Sequence, residues 1–163
     1  MKKILFGIAL VFSLLVIATG YKANPASKVL GRGSDVPAIR LSNADNTTVI
    51  GRSTGHYTLV TFWTSSDGKS RAACNNYDRL INGKQRSTNV KFVAINMDRS
   101  NTLFNEIVYV DGLTASSQYR VDEQAAIELN TMFRLDRGMG SVLIGPDGRV
   151  AAFNPDAALL RSI

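Results

Sequence analysis

The fold of this chain is decided by the stretch Leu59-Val60-Thr61-Phe62-Trp63-Thr64-Ser65-Ser66-Asp67-Gly68-Lys69-Ser70-Arg71. Its first part completes a run of β-branched and aromatic residues that begins at Tyr57, which predicts a buried β-strand. The next four residues, Thr64 to Asp67, are of the types that cap a helix N-terminus, and apolar residues then recur at helical spacing until Asn82-Gly83. The stretch therefore predicts a strand that ends at the start of a helix.

Downstream of this unit, strands and helices alternate. Patterning predicts a second buried strand over residues 90–97, a helix from Asp98–Asn101 through Val108, a loop, a helix over residues 121–133, a hairpin of residues 141–144 and 149–153 around a Gly-Pro-Asp-Gly turn, and a final helix over residues 156–160. Alternating strands and helices favour an α/β fold with a mixed central sheet and flanking helices.

Upstream, two short strands, residues 39–41 and 48–50, flank an Asn/Asp-rich turn and predict an extra N-terminal hairpin. Residues 21–35 lack apolar periodicity and are interpreted as an extended lead-in, so the predicted domain covers residues 36–163. At 163 residues and 45% hydrophobic composition, the chain is long enough for one domain with its own core.

The first twenty residues have the layout of a secretory signal. Lys2 and Lys3 precede the uncharged apolar run Ile4–Ala18, and small residues at 18 and 20 suit cleavage after Gly20. Cleavage would lower the formal net charge from +6 to about +4 by removing the two lysines. With Thr19 and Gly20 the run reaches about seventeen residues, so an uncleaved membrane anchor is the alternative. Either interpretation predicts export to the periplasm or the cell envelope.

Composition excludes several classes of site. One cysteine cannot form an internal disulfide or a Cys-x-x-Cys pair, and a single histidine rules out a histidine-rich metal site. Basic residues are interleaved with acidic ones and never form a long run, which argues against nucleic-acid binding. Gly68-Lys69-Ser70 has the wrong spacing for a phosphate-binding loop. We therefore predict no cofactor, no metal and no nucleic-acid partner.

The stretch from Leu59 to Arg71 resembles the active-site strand and helix start of thioredoxin-like proteins, where Phe-Trp-Ala-x-x-Cys-Gly-x-Cys-Arg is typical. Gly138 to Val150 resembles the segment that follows the cis-proline of those proteins and ends in an Asp-Gly turn. The resemblance covers residues 36–160 and is closest to exported bacterial members with an N-terminal hairpin. It implies a thioredoxin-like fold.

The same resemblance implies a degenerate active site. Asp67 stands where the family has its nucleophilic cysteine, Ser70 stands where it has the resolving cysteine, and the cis-proline position falls on Met139 or Gly140. Neither a carboxylate nor a hydroxyl can form a mixed disulfide. The positions equivalent to the family's site would form a binding surface made of Trp63, Ser66, Asp67, Gly68, Lys69, Ser70, Met139 and Gly140.

Individual residues admit alternative roles. Asp67 is either an N-cap or part of a site, and Trp63 is either core or the wall of a groove. Cys74 is either a buried helix residue or a reactive thiol that pairs with another chain. Lys69 and Arg71 could contact an anion at the helix start. His56 is interpreted as a turn residue before the buried strand.

These observations favour a redox-inactive thioredoxin-fold interaction module of the bacterial envelope whose partner is an envelope protein or peptide. The membrane would be contacted only through the N-terminal segment if it is uncleaved. A thiol-disulfide oxidoreductase or peroxidase-like enzyme is the alternative that fold similarity alone suggests. A non-redox enzyme built on Asp67, Lys69 and Ser70 is a third hypothesis.

Overall fold

A computed structural model describes residues 28–83 and 89–163 of the chain. Their strands are β1 (Ile39–Ser42), β2 (Thr47–Ile50), β3 (Thr58–Trp63), β4 (Lys91–Asn96), β5 (Gln118–Arg120), β6 (Ser141–Ile144) and β7 (Val150–Phe153). The α-helices are α1 (Gly68–Asn82), α2 (Asn101–Val110), α3 (Glu123–Phe133) and α4 (Ala157–Arg161). Short 3₁₀ turns lie at Ala115–Ser117 and Leu135–Arg137.

The central sheet has five strands in the order β5-β4-β3-β6-β7. Strands β3, β4 and β5 run parallel, whereas β6 is antiparallel to both β3 and β7. Strands β1 and β2 form a separate antiparallel hairpin in which Ile39 pairs with Ile50. The predicted α/β architecture, with its mixed sheet, flanking helices and extra N-terminal hairpin, is confirmed.

Strand β3 lies at the centre of the sheet, and all six of its residues are buried. Phe62 faces a core cluster that includes residues of α3 and the β1–β2 hairpin, while Trp63 and Leu59 face a second cluster under α1 and α4. Burial on both faces explains why the sequence of β3 is continuously apolar or β-branched instead of alternating.

The sequence prediction was wrong in placing a loop before the third helix, because residues 118–120 form the edge strand β5. Its residues pair in register with Ala94, Ile95 and Asn96 of β4. A three-residue strand that contains two polar side chains has no alternation to detect, and only its tertiary pairing defines it. Helix α3 then begins at Glu123, because the Asp122 side chain accepts a hydrogen bond from the N–H of Ala125 at 2.8 Å.

The described end of the lead-in, residues 28–35, packs on the domain. The N–H of Leu30 donates to the carbonyl of Met132 (2.9 Å), and the backbones of Gly33 and Ser34 hydrogen-bond to Val150 in β7. The predicted boundary at Val36 thus lies within packed structure. The predicted signal segment, residues 1–20, lies outside the described residues, within which no helix is long and apolar enough to span a membrane.

A buried carboxylate ties α1 to the segment after α2. Asp78 is only 5% exposed and accepts hydrogen bonds from the N–H and the hydroxyl of Thr114, each at 3.0 Å. Its other oxygen accepts from the Asn82 side chain at 2.8 Å. Because the Asp78 carboxylate is itself buried, these bonds replace the hydration that it loses on folding.

Replacement of this carboxylate should be costly. We expect Asp78→Ala to lower the free energy of unfolding by about 2–4 kcal/mol, because it leaves the N–H and the hydroxyl of the half-buried Thr114 without this acceptor. Asp136→Ala is the control: it removes an exposed carboxylate and should change stability by less than about 0.5 kcal/mol. Urea unfolding of both variants checks this, and a loss below about 1 kcal/mol for Asp78→Ala would contradict it.

Candidate functional site

The candidate site is the connection between β3 and α1, where side chains satisfy the free N–H groups of the first helical turn. Asp67 is the N-cap of α1, and its Oδ1 accepts a hydrogen bond from the N–H of Lys69 at 3.0 Å. The Ser70 hydroxyl donates to the carbonyl of Asp67 (3.0 Å) and accepts from the N–H of Thr64 (3.3 Å). Asp67 and Ser70, which the resemblance assigns to the family's cysteine positions, therefore stabilise the helix start.

A carboxylate from the neighbouring strand holds this connection in place. Asp98, just beyond β4, accepts hydrogen bonds at Oδ2 from the N–H of Ser65 (2.8 Å), from the Ser65 hydroxyl and from the Asn96 side chain (2.8 Å). The sequence analysis treated Asp98 only as a helix cap. Its position after a strand parallel to β3 is the signal that could have placed it here, because such strands end at the same edge.

Arg71 is already engaged by a carboxylate. Its guanidinium makes a bidentate pair with Asp111, with Nη2 at 2.7 Å from Oδ1 and Nε at 3.0 Å from Oδ2. The hydrogen bond to Asp111 raises the pKa of Arg71 above its ordinary value. Of the two cations predicted to contact an anion, only the exposed Lys69 projects without such a partner among the described residues.

The single thiol lies in the core. Cys74 is fully buried under the sheet, and its Sγ lies 3.9 Å from Oε1 of Gln118. Burial, with a further contribution from the negative charge of Asp78, raises the pKa of the Cys74 thiol to about 12. Thiolate is the nucleophilic form, so the folded protein presents no reactive thiol at neutral pH.

Two residues of the predicted binding surface are buried. Trp63 has no exposed surface and donates from its indole Nε1 to Gln118 Oε1 at 3.2 Å, and Ser70 is 4% exposed. These two cannot contact a partner directly, because tertiary packing turns their side chains inward. Ser66, Gly68 and Lys69 are exposed, and Asp67 is partly exposed.

The predicted binding surface also includes Met139 and Gly140, in the loop before β6. This loop contacts the last residues of β3. The carbonyl of Gly140 accepts from the N–H of Phe62 (3.0 Å), and the Asn154 side chain accepts from the N–H of Ser141 (2.8 Å). A Cβ at Gly140 would lie 3.1 Å from that Asn154 oxygen, a tight contact that the Asn154 side chain would have to relieve by a small shift. No peptide bond among the described residues is cis.

Met139 is the open position of this loop. It is partly exposed, and neither its backbone N–H nor its carbonyl has a hydrogen-bond partner among the described residues. Beside it lies a cavity of about 680 Å³ whose walls are polar and apolar in about equal measure. The walls include Val29, Leu30, Phe133, Met139 and Phe153. Volumes of this size are typical of sites that hold ligands or side chains.

The side chains at the helix start do not form a nucleophile–base pair or a metal-ligand cluster among the described residues. The Ser70 hydroxyl is buried and committed to backbone, and no histidine stands beside it. His56 lies before the opposite end of β3 and its ring contacts the carbonyl of Thr54. Within residues 28–83 and 89–163, no three potential ligands of the His, Cys, Asp or Glu type cluster as a metal site.

Solved structures share this fold. A thioredoxin-like protein from Parabacteroides distasonis is 25% identical, with a TM-score of 0.69 over 82% of this chain and 94% of that one. The thioredoxin domain of a thiol-disulfide oxidoreductase from Bacteroides vulgatus is 18% identical, with a TM-score of 0.67 and the same coverage. StoA from Bacillus subtilis is 15% identical, with a TM-score of 0.59 over 79% of this chain and 98% of that one.

No protein-family model matches the sequence, and no curated protein matches it. The relationship therefore rests on three-dimensional structure. Two of these neighbours are thioredoxin-like by name, and they cover nearly the whole described domain.

The raised pKa of Cys74 predicts a pH-dependent loss of stability. Below pH 9 the thiol is protonated in both the folded and the unfolded chain; between pH 9 and about 12 only the unfolded chain ionises, so rising pH favours unfolding. Relative to Cys74→Ala, the wild type should lose up to roughly 1.4 kcal/mol per pH unit in that window. Urea unfolding under reducing conditions at pH 7–10.5 measures this, and a difference that does not vary with pH would refute the buried neutral thiol.

Proposed function

We propose that this member of the thioredoxin-like superfamily is a redox-inactive binding module of the cell envelope, which holds an extended peptide segment of a partner protein. The observation that carries the proposal is the absence of a usable thiol at the helix start. Asp67 and Ser70 occupy the two relevant positions there, and the only cysteine is buried one turn further along α1.

Thiol-disulfide exchange requires an accessible thiolate that attacks one sulfur of a disulfide, and a second thiol that resolves the mixed disulfide. Asp67 presents a carboxylate whose oxygen caps the helix, and Ser70 presents a hydroxyl that is bonded to backbone. Cys74 has neither access nor a low pKa. The named oxidoreductase activity of the Bacteroides vulgatus relative is therefore not proposed for this chain.

The loop before β6 supports peptide binding. Met139 lies two residues before β6, and its backbone N–H and carbonyl have no partner among the described residues. An extended segment could therefore hydrogen-bond to both groups as a short β-ladder. The cavity beside Met139 would accept a side chain of that segment. Exposed Ser66 and Lys69 at the helix start border the same end of β3 and would offer polar contacts.

The envelope location rests on the sequence. Lys2 and Lys3 before the apolar run Ile4–Ala18 are typical of an export signal. Under this proposal the domain works outside the cytoplasm, and any contact with the membrane runs through the N-terminal segment.

Restoring the missing thiols tests the redox part. The double variant Asp67→Cys, Ser70→Cys places a Cys-Gly-Lys-Cys motif at the helix N-terminus, where the macrodipole lowers a thiol pKa. We expect the wild type to show no turnover in a dithiothreitol-dependent insulin-reduction assay, and the double variant to gain activity. The single variant Asp67→Cys is the control and should remain inactive.

Activity of the wild-type protein would overturn the redox-inactive proposal, most directly if it persisted in Cys74→Ser. If the double variant folds and remains inactive, the helix start does not retain the geometry of a thiol site, and the assignment of Asp67 and Ser70 to the cysteine positions is wrong.

Selection of binders from a library of displayed extended peptides tests the binding part. For a selected peptide, we expect Met139→Glu to weaken the affinity at least tenfold, about 1.4 kcal/mol, because it replaces an apolar wall residue of the cavity with a charged one. Ile127→Glu introduces the same charge at another exposed apolar residue, on α3, and should leave affinity unchanged. Calorimetry of both variants measures this, and equal affinities or a library without binders would contradict the proposed surface.

A further inference from the structure

The cavity beside Met139 carries a positive charge that the peptide-binding proposal has not used. Arg134 and Arg137 both line it, and both residues are exposed. None of the described residues that line the cavity is acidic. Asp136, which stands between the two arginines in sequence, is exposed and does not belong to the lining. The described lining therefore presents two cations and no carboxylate, next to apolar side chains such as Phe133.

Neither arginine is engaged by another side chain of the domain. In the described part of the chain, the guanidinium groups of Arg134 and Arg137 make no hydrogen bond and no ion pair. Arg71, by contrast, is held in a bidentate pair by Asp111. A guanidinium carries five N–H donors in a planar fork that matches a carboxylate. Both arginines at the cavity are therefore available to carboxylates of a bound partner.

The turn that carries the two arginines is fixed against the core. The N–H of Arg137 donates to the carbonyl of Arg134 at 3.1 Å, and Leu135 between them is buried. Arg134 is the C-cap of α3, and its backbone is left-handed, with φ of 54° and ψ of 43°. Helix ends favour glycine in this conformation, because glycine has no Cβ to clash with the backbone. The backbone does not need the arginine side chain, so Arg134→Gly should remove this cation without weakening the fold.

An extended peptide matches this combination of groups when acidic residues flank an apolar one. Side chains of an extended segment alternate between two faces, so residues two apart point the same way at a separation of about 7 Å. An apolar side chain can then enter the cavity while a carboxylate two residues away pairs with an arginine. Such pairs are charge-assisted and can be bidentate, which makes them stronger than neutral hydrogen bonds. A basic segment would instead bring like charges together.

We propose that the peptide segment held at this cavity is acidic, with glutamate or aspartate flanking the apolar residue that enters it. The inference rests on the peptide-binding function proposed above and adds the charge of the partner. Because Arg134 and Arg137 are exposed, salt screens their attraction over a distance of about 8 Å at physiological ionic strength. The affinity for an acidic segment therefore falls as the salt concentration rises.

Three displayed libraries of extended peptides test the charge of the partner. Each has an apolar residue at its centre, and the positions two residues to either side hold glutamate, glutamine or lysine. The tightest peptide of each library is synthesised with acetylated and amidated ends, so that only side chains carry charge, and its affinity for the purified protein is measured by calorimetry. We expect the glutamate peptide to bind at least about tenfold more tightly than the glutamine peptide, and the lysine peptide to bind most weakly.

Variants of the protein locate the charge effect. Arg134→Gly and Arg137→Gln should each weaken binding of the glutamate peptide by about threefold or more, and a tenfold rise in NaCl concentration should weaken binding to the wild type more than to either variant. Arg161→Gln is the matched control, because it removes the same charge from an exposed residue of α4 outside the cavity, and it should leave the affinity unchanged. Urea unfolding should find Arg134→Gly at least as stable as the wild type.

The inference is overturned if the glutamine or lysine peptide binds as tightly as the glutamate peptide, or if Arg134→Gly and Arg137→Gln bind the glutamate peptide as tightly as Arg161→Gln does. In that case, peptides whose binding is weakened by Met139→Glu leave the peptide-binding function in place and remove only its acidic preference. If none of the three libraries gives a binder, both proposals are wrong.

Discussion

The pairing of β3 on both edges is the constraint on which the rest of the structure depends. Its parallel partner β4 brings Asp98 beside Ser65, and its antiparallel partner β6 brings the Met139 loop to the same end of the sheet. The helix start and the loop are therefore neighbours because of strand register, independently of any chemistry between them. A scaffold of this kind persists when its reactive residues are replaced, since none of the pairing uses their side chains.

At the helix start, Asp67 and Ser70 have a structural role. The free N–H groups and partial positive charge of a helix N-terminus stabilise a thiolate, and they stabilise the Asp67 carboxylate in the same way. Here the Asp67 carboxylate accepts a hydrogen bond from the N–H of Lys69 as the N-cap, and the Ser70 hydroxyl donates to the carbonyl of Asp67. In the loop before β6, by contrast, the backbone N–H and carbonyl of Met139 have no partner within the described part of the chain, and the proposed peptide binding rests on that difference.

The sequence predicted the elements that have a clear hydrophobic or capping pattern, but it did not predict those that depend on tertiary contacts. The apolar run ending at Phe62-Trp63 predicted β3, and Asp67 and Gly83 bounded α1 as expected. Strand β5 was missed because its pairing with β4 is its only signal. Burial of Trp63 and Cys74 was left open, since helical or strand periodicity cannot say how deep a neighbouring layer packs. The hydrogen bonds of the Gln118 side chain to Trp63 and Cys74 could not be predicted, because they depend on how β3, α1 and β5 pack together.

The burial of Cys74 makes the reactivity of this thiol depend on whether the chain is folded. In the folded protein the sulfur is shielded and protonated, so oxidants and other thiols have no access to it. Before folding, the same sulfur is an ordinary accessible cysteine and the only one able to cross-link the chain to another. In oxidising surroundings, the extent of intermolecular disulfide formation would then depend on how fast the chain folds, because the native state buries the thiol.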